Sequence, residues 1–350
     1  AALPKYDDAK EIYTTMIADL KVLGEELGTI EVPSFFAGLF ADKDYLNLGV
    51  VASWQKYANS LRLRMLMRMS GVQDVSAEVS AMLSDPGKYP LVEANADNIM
   101  LGAETGTALQ ATTSSGSGGI RSAMETWGQY DIAPKAVCDN MLANGDPRLE
   151  IMFDANPAGE YKGLDPLANA TDQTQLVSDG MVARYDTATF TRNNNFPGYV
   201  IGAAEVSFMK AEAFEKGIAS GNAKDAYNMG VEQSIEFWYG VNATGTYRDP
   251  IAMDAGAVAA YLNAGGVSWD ANGDKMNLIG TQKWLNTGLC AMPQTWAEMK
   301  RLDKPVLQFM PDNATVSGQT LPPMRWLYPS SEQSLNKDNY DAVIGKDKLN

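Results

Sequence analysis

Apolar residues recur at helical spacing in the first quarter of the chain and again in its third quarter. Between them lies a long polar stretch without any period. Over residues 6–27, Ile12, Thr15/Met16, Asp19/Leu20 and Leu23 fall near one face, acids crowd the first turn and Gly28 supplies a stop, so the pattern predicts a helix. Residues 53–70, "SWQKYANSLRLRMLMRMS", predict a second. Ser53 is the expected N-cap. Trp54, Tyr57, Ala58, Leu61, Met65 and Met69 form the expected apolar stripe, with Arg62, Arg64 and Arg68 off it. A third, short helix is expected over 75–84.

From 102 to 119 the sequence is small and polar and predicts a long loop. Helical patterning returns over 120–145, carrying Arg121, Trp127 and Tyr130. "GDPRLEIMFD" (145–154) reads as a turn and a short strand. Residues 155–200 read as irregular, with a short hairpin around 181–191. The clearest feature is a helical hairpin over 201–217 and 223–239. Its Ala211, Phe214, Ala223, Tyr227 and Gly230 follow tetratricopeptide spacing. One such hairpin cannot bury its own face, so partner hairpins are implied, and the helices at 6–27 and 53–70 are the obvious candidates. Further helices are predicted over 255–264 and 275–302. The pattern as a whole predicts a mostly α fold of tetratricopeptide-like hairpins with a loop-rich, irregular second half and no sharp domain boundary.

Composition narrows the function. With 43 acidic against 28 basic residues the formal charge is −15, which repels phosphate backbones, so no nucleic-acid partner is expected. Histidine is absent from the sequence, which removes histidine-based nucleophile arrangements and HExxH zinc sites. Cys138 and Cys290 are far apart in no metal spacing, and two buried thiols are at least as good a reading as one long-range disulfide. No apolar run reaches the roughly 18 residues that span a bilayer.

Few motifs carry chemistry. "SSGSGGIRS" (114–122) matches neither glycine-rich nucleotide signature and reads as a loop. "DANGDK" places Asp270, Asn272 and Asp274 at alternate positions, as a calcium loop does, but the twelfth position is Thr281; a plain turn is the better reading, and no cofactor is expected beyond at most a structural calcium there. Aromatic residues in or beside the loops, Trp127, Tyr130, Tyr161, Tyr185, Tyr199 and Tyr247, offer flat faces to sugar C–H groups. The same rings also serve simply to pin loops. Glu298, near Trp296, reads as a partner for Lys300, Arg301 or another internal cation.

Six segments in order resemble one family. "WQKYANSLRLRMLMRMS" is similar to the Trp-x-Lys-x-Ala-Asn-Ser-Leu-x-x-Arg helix of SusD/RagB-type (SusD-like) proteins. "EANADNIML" (93–101), "GDPRLEIMFD", "AEVSFMKAEAFEKG", "IGTQKWLN" with "TWAEMKRLDKP", and "LPPMRWLYPSSEQSLNKDNYDAV" follow, resembling its later segments. Lys300 stands where the family pattern has a first arginine beside Arg301.

The resemblance implies one SusD-like domain over 1–350 without its N-terminal segment. Helical-repeat elements are expected at about 6–85 and 201–302, a loop-rich ligand region at about 102–200 and an irregular segment at 303–350. It implies a non-enzymatic nutrient-binding lipoprotein of Bacteroidota on the extracellular face of the outer membrane, held by a lipid anchor outside this chain. Its partners would be an oligosaccharide and a TonB-dependent SusC-like transporter; a peptide-binding helical-repeat scaffold is the alternative. The expected ligand residues are Trp127 and Tyr130 for stacking, Arg121 for hydroxyl groups, and Tyr161 and Tyr185 nearby. Trp284 and Trp296 are expected in the core, with Arg301 paired internally.

Overall fold

The computed structural model describes residues 3–101, 121, 124–125, 131–311, 321–322 and 326–345. It separates into two compact units, Ala1–Asp19 with Gln308–Asn350, and Leu20–Leu307. The described residues are mostly helical, with two small two-stranded sheets.

The larger unit is built around a helical hairpin. In chain order its elements begin with α1 (Ala9–Leu27), which starts in the other unit, then α2 (Ser34–Lys43), α3 (Val51–Met69) and α4 (Ser76–Ser84). Strand β1 (Ile99–Leu101), α5 (Lys135–Asn144), the single turn α6 (Leu149–Met152) and β2 (Phe153–Asp154) follow. Next come α7 (Ala170–Ser178), β3 (Arg184–Tyr185), one π-helical turn at Thr187–Thr191, and β4 (Gly198–Ile201). The hairpin is α8 (Ala203–Glu215) and α9 (Ala223–Thr244), and α10 (Ala255–Leu262), α11 (Lys275–Thr287) and α12 (Met292–Leu302) complete the unit.

The hairpin forms as its spacing predicts. Asn222 caps α9 by accepting from the Asp225 amide. The Phe208 ring lies over Gly230, where an added Cβ would come 2.6 Å from the ring edge; the Phe214 ring covers Gly221 in the same way at 2.3 Å. Gly230→Ala is therefore expected to cost about 1–3 kcal/mol by overpacking, read as a lower urea midpoint at unchanged slope.

The segment "EANADNIML" clamps this hairpin. The Asn98 carboxamide oxygen accepts from the Ala203 amide at the start of α8 (2.8 Å), Asn95 donates to the Gln233 carbonyl (3.0 Å), and Gln233 donates to the Glu93 carbonyl (2.7 Å). Strand β1 then pairs antiparallel with β4, Ile99 opposite Ile201 and Met100 opposite Tyr199.

Several expectations are corrected. Helix α3 starts at Val51 with Val50, not Ser53, at its N-cap. Its arginines are not on a solvent face. Arg62 and Arg64 are buried together with Leu63, Leu66 and Met67, while Leu61, Trp54 and Tyr57 are only half-buried. A long-range partner compensates the burial of Arg64, which grips Glu205 with two hydrogen bonds (2.6 and 2.8 Å), whereas Arg62 reaches Glu78 through Nη2 alone. On α1 the expected stripe is exposed at Ile12, Met16 and Leu23. The less exposed positions are Tyr13, Ile17, Leu20, Gly24 and Leu27, one helical face over. Gly24 and Gly28 let the Asn59 and Gln55 side chains of α3 approach, as an added Cβ would meet them at 2.6 and 2.5 Å.

"GDPRLEIMFD" contains one helical turn before its short strand. The hairpin expected within 181–191 is instead β3 pairing with β2, Phe153 opposite Tyr185 and Asp154 opposite Arg184. Helices α2 and α7 had no sequence forecast. Helix α2 buries none of its residues, which is why no amphipathic signal announces it. Among the described residues the fully buried tryptophan is Trp238; Trp284 and Trp296 are half-buried, and the Lys300 ammonium lies 5.6 Å from the centre of the Trp296 ring. Both cysteines are free thiols, and burial pushes each up to about 12.

In the smaller unit the chain's two terminal segments meet. Tyr6 packs edge-on against Tyr328 (4.9 Å) and donates to Glu332. The Asn336 amide donates to the Pro4 carbonyl (2.9 Å). Two short helices lie in the tail read as irregular, α13 (Glu332–Leu335) and α14 (Lys337–Ile344). The tail segment that resembled the family thus works as a fastening for the first residues.

Candidate functional site

The short β2–β3 ladder divides its side chains by the period of two. Phe153 and Tyr185 form one cross-strand pair and turn to the core, their rings 5.0 Å apart. Asp154 and Arg184 form the next pair and line an open cleft of about 430 Å³. That volume is in the range of small-ligand sites.

Among the described residues the cleft draws on four separate stretches. Glu125 and Asp131 come from the segment before α5, Asp154 and Asn156 from β2 and the loop after it, Arg184 from β3, and Thr187, Thr191 and Arg192 from the π-helical turn. The Asn156 carboxamide shapes the loop by accepting from the Ala158 and Glu160 amides (3.0 and 2.9 Å) and donating to the Met181 carbonyl (3.1 Å).

The polar groups of the cleft hold one another in place. Arg184 donates to Asp131 (2.6 Å). Asp154 accepts from the Thr187 amide and hydroxyl (2.8 Å each) and from Arg248 (2.8 Å), which also contacts the buried Asp186. Glu125 accepts from Arg192 and from Arg121 (3.1 Å each). Burial alone would raise the Glu125 pKa; the Thr191 hydroxyl and the two arginines outweigh it and hold the carboxyl below its usual range. Beside the cleft, Tyr247 is half exposed. The Arg192 guanidinium lies 4.9 Å from the centre of its ring and donates to its hydroxyl (3.2 Å).

The expected ligand residues reach this region unevenly. Arg121 is tied to it through Glu125. Tyr185 borders it, but its ring is packed between Phe153 and Phe190 (5.3 Å), and its hydroxyl is pushed above its usual range by burial. Tyr161 is half-buried against the core; burial and then Glu150 and Asp154 raise its pKa, with Arg248 opposing. Trp127, Tyr130 and the loop 102–119 lie outside the described residues. Asp131, Asp154, Arg184, Arg192 and Asn156 were not singled out from sequence; the alternation Arg184–Tyr185 within a short strand was the available signal.

A second cavity, of about 20 Å³, lies between α3, α8, α11 and α12 beside Arg64, Lys283, Trp284 and Glu298. It has room for about one water molecule. The calcium-like stretch has other work: Asp274 caps α11 and pairs with Lys304 (2.9 Å), Asp270 pairs with Lys224, and Asn272 donates to the Gly265 and Ser268 carbonyls. Among the described residues no group of three His, Cys, Asp or Glu is placed to hold a metal, and no helix is long and apolar enough to cross a membrane.

Comparison with protein families decides the relationship. The model of a SusD-like family, described as starch-binding and associating with the outer membrane, matches residues 1–329. The chain belongs to the SusD-like family. Solved structures share its fold. A SusD homologue from Bacteroides fragilis superposes with a TM-score of 0.81 at 21% identity, covering 100% of this chain and 75% of its own. An outer-membrane protein from Bacteroides vulgatus, proposed to bind nutrients, gives 0.78 at 21%, with 99% and 74% covered. A chitin-binding protein gives 0.74 at 22%, with 98% and 71% covered. Comparison with curated proteins finds no match. SusD-like proteins are binding proteins associated with the outer membrane, and that coarse role holds for this chain.

Proposed function

We propose that this protein captures oligosaccharides without catalysis at the extracellular face of the outer membrane and passes them to a TonB-dependent SusC-like transporter. The observation that carries the reading is the cleft between β2–β3 and the π-helical turn. Its carboxylates, guanidinium groups, carboxamide and threonines are pre-positioned by one another, so hydroxyl groups meet fixed partners at little ordering cost. Tyr247, backed by Arg192, offers a ring at the rim. Glu125 fits poorly as a general acid, which needs a raised pKa, because its carboxyl is held low.

Isothermal titration against soluble starch fragments and chitin oligosaccharides tests the reading. Arg192→Ala removes both a donor lining the cleft and the support of Tyr247, and it is expected to weaken binding about tenfold or more, roughly 1.4 kcal/mol. The residue is substantially exposed, so the melting temperature should hardly move. Unchanged affinity in this variant would remove the cleft from the reading.

A further inference from the structure

Among the described residues, each charged side chain that lines the cleft is already paired with a neighbour of opposite charge. Glu125 lies between Arg192 and Arg121 (3.1 Å each), Asp131 holds Arg184 (2.6 Å), and Asp154 holds Arg248 (2.8 Å). Asp186, fully buried behind the rim, also faces Arg248. Each of the four guanidinium groups has a carboxylate partner. The partners are tethered: Asp154 is fixed by two hydrogen bonds from Thr187, and Arg184 is held in the β2–β3 ladder.

This arrangement suits hydroxyl groups and disfavours anions. A hydroxyl both donates and accepts, so a carboxylate beside a guanidinium presents an acceptor and a donor to neighbouring hydroxyls of one sugar ring. The carboxylate of a uronate, like a sulfate group, accepts only. To reach Arg184 or Arg192 it would have to approach Asp131 or Glu125 and compete with it, and like charges in contact are costly. Resting on the reading of the cleft as a glycan site, we infer that it takes neutral oligosaccharides and excludes carboxylated and sulfated ones.

Affinity electrophoresis in gels containing soluble starch, laminarin, polygalacturonate or carrageenan tests this, at about 0.15 M salt so that the chain's overall negative charge is screened beyond roughly 8 Å. The wild-type protein should be retarded by a neutral polymer and at least about tenfold less by the anionic ones. The double variant E125Q/D131N removes the carboxylate charges that face Arg192 and Arg184 and should gain salt-sensitive retardation by the anionic polymers. If the double variant does not fold, Asp131→Asn alone frees Arg184 and carries the same expectation. Retardation of the wild-type protein by an anionic polymer as strong as by any neutral one overturns the inference, and so does a folded variant that gains nothing. A wild-type protein that ignores every polymer, with a variant that gains anion binding, leaves the charge exclusion standing and discards the capture reading.

Discussion

A Glu212→Gln variant is expected to lose about 3–5 kcal/mol of folding stability, together with a share of the protein's sensitivity to acid. The Glu212 side chain on α8 is fully buried and accepts from Lys283 (2.6 Å), from both terminal nitrogens of Arg301 (2.6 and 2.8 Å) and from Lys216 (2.7 Å). Glu298 completes the cluster, accepting from Lys283 (3.0 Å) and Arg301 (2.7 Å), with Arg68 at 3.5 Å. The pair Arg301–Glu298 is the internal one expected from sequence; Glu212 and Lys283 are what make it a network across α8, α11 and α12. Neutralising Glu212 leaves two buried cations facing one carboxylate, and the cost is that of uncompensated charge rather than of one lost bond.

The pH dependence follows from the same groups. Burial alone would raise both carboxyls, but Lys283 and Arg301 hold Glu298 at about 2 and Glu212 well below its usual range. Unfolded glutamates titrate near 4.3. A depressed folded pKa gives stability that is present above the unfolded value and is lost as pH falls toward the folded one. The wild-type protein should therefore weaken progressively from about pH 5 downward, and Glu212→Gln should weaken less steeply. Urea midpoints at pH 7, 4 and 3 read both effects. Parallel pH profiles for the two proteins would refute this account of Glu212.

What the sequence disclosed and what it hid divide along sequence distance. The α8–α9 hairpin was legible because its evidence is local: small and aromatic residues at helical spacing force Phe208 onto Gly230. Glu298–Arg301 was legible as an i,i+3 pair. The buried face of α3 was not. Arg64 is drawn inward by Glu205, distant in the chain, and nothing near Arg64 announces that partner. Trp284 looked like a core residue and is half-buried, while Trp238, within "SIEFWYG", is the ring that α9 buries completely.

The cleft is harder still. Glu125, Asp131, Asp154 and Arg192 have no mutual spacing, because three segments supply them, and a lone acid among 43 has no signature. The aromatic criterion did bring attention to this part of the chain. It favoured Tyr185, whose ring the strand pleat sends inward, over Arg184, which the same pleat sends into the cleft.

The second large effect is expected at Arg148 in the turn between α5 and α6. Its side chain and that of Asp146 are both fully buried and meet in a two-point pair, Nε to Oδ1 at 2.9 Å and Nη2 to Oδ2 at 2.6 Å. Nη1 donates to Ser234 on α9 (2.8 Å), and the second hydrogen of Nη2 is shared between the Tyr261 hydroxyl on α10 and the Gln282 carboxamide oxygen on α11 (3.0 Å each). One guanidinium thus joins the turn to three helices, and its planar fork is used on both edges. Arg148→Met should cost about 3–5 kcal/mol, chiefly because Asp146 is left charged and unpaired in the interior. Arg148→Lys should rescue only part of this, since an ammonium keeps the charge and loses the fork. The decisive comparison is the double variant D146N/R148M. If the cost lies in the stranded charge, it should be more stable than Arg148→Met alone; if it lies mainly in the links to Ser234, Tyr261 and Gln282, removing Asp146 as well should recover nothing. Urea unfolding of the three variants at one pH separates the two cases. The structure favours recovery, because both arms of the two-point pair end on Asp146 (2.9 and 2.6 Å), and Gln282 donates to the Tyr261 hydroxyl (2.8 Å) independently of the arginine.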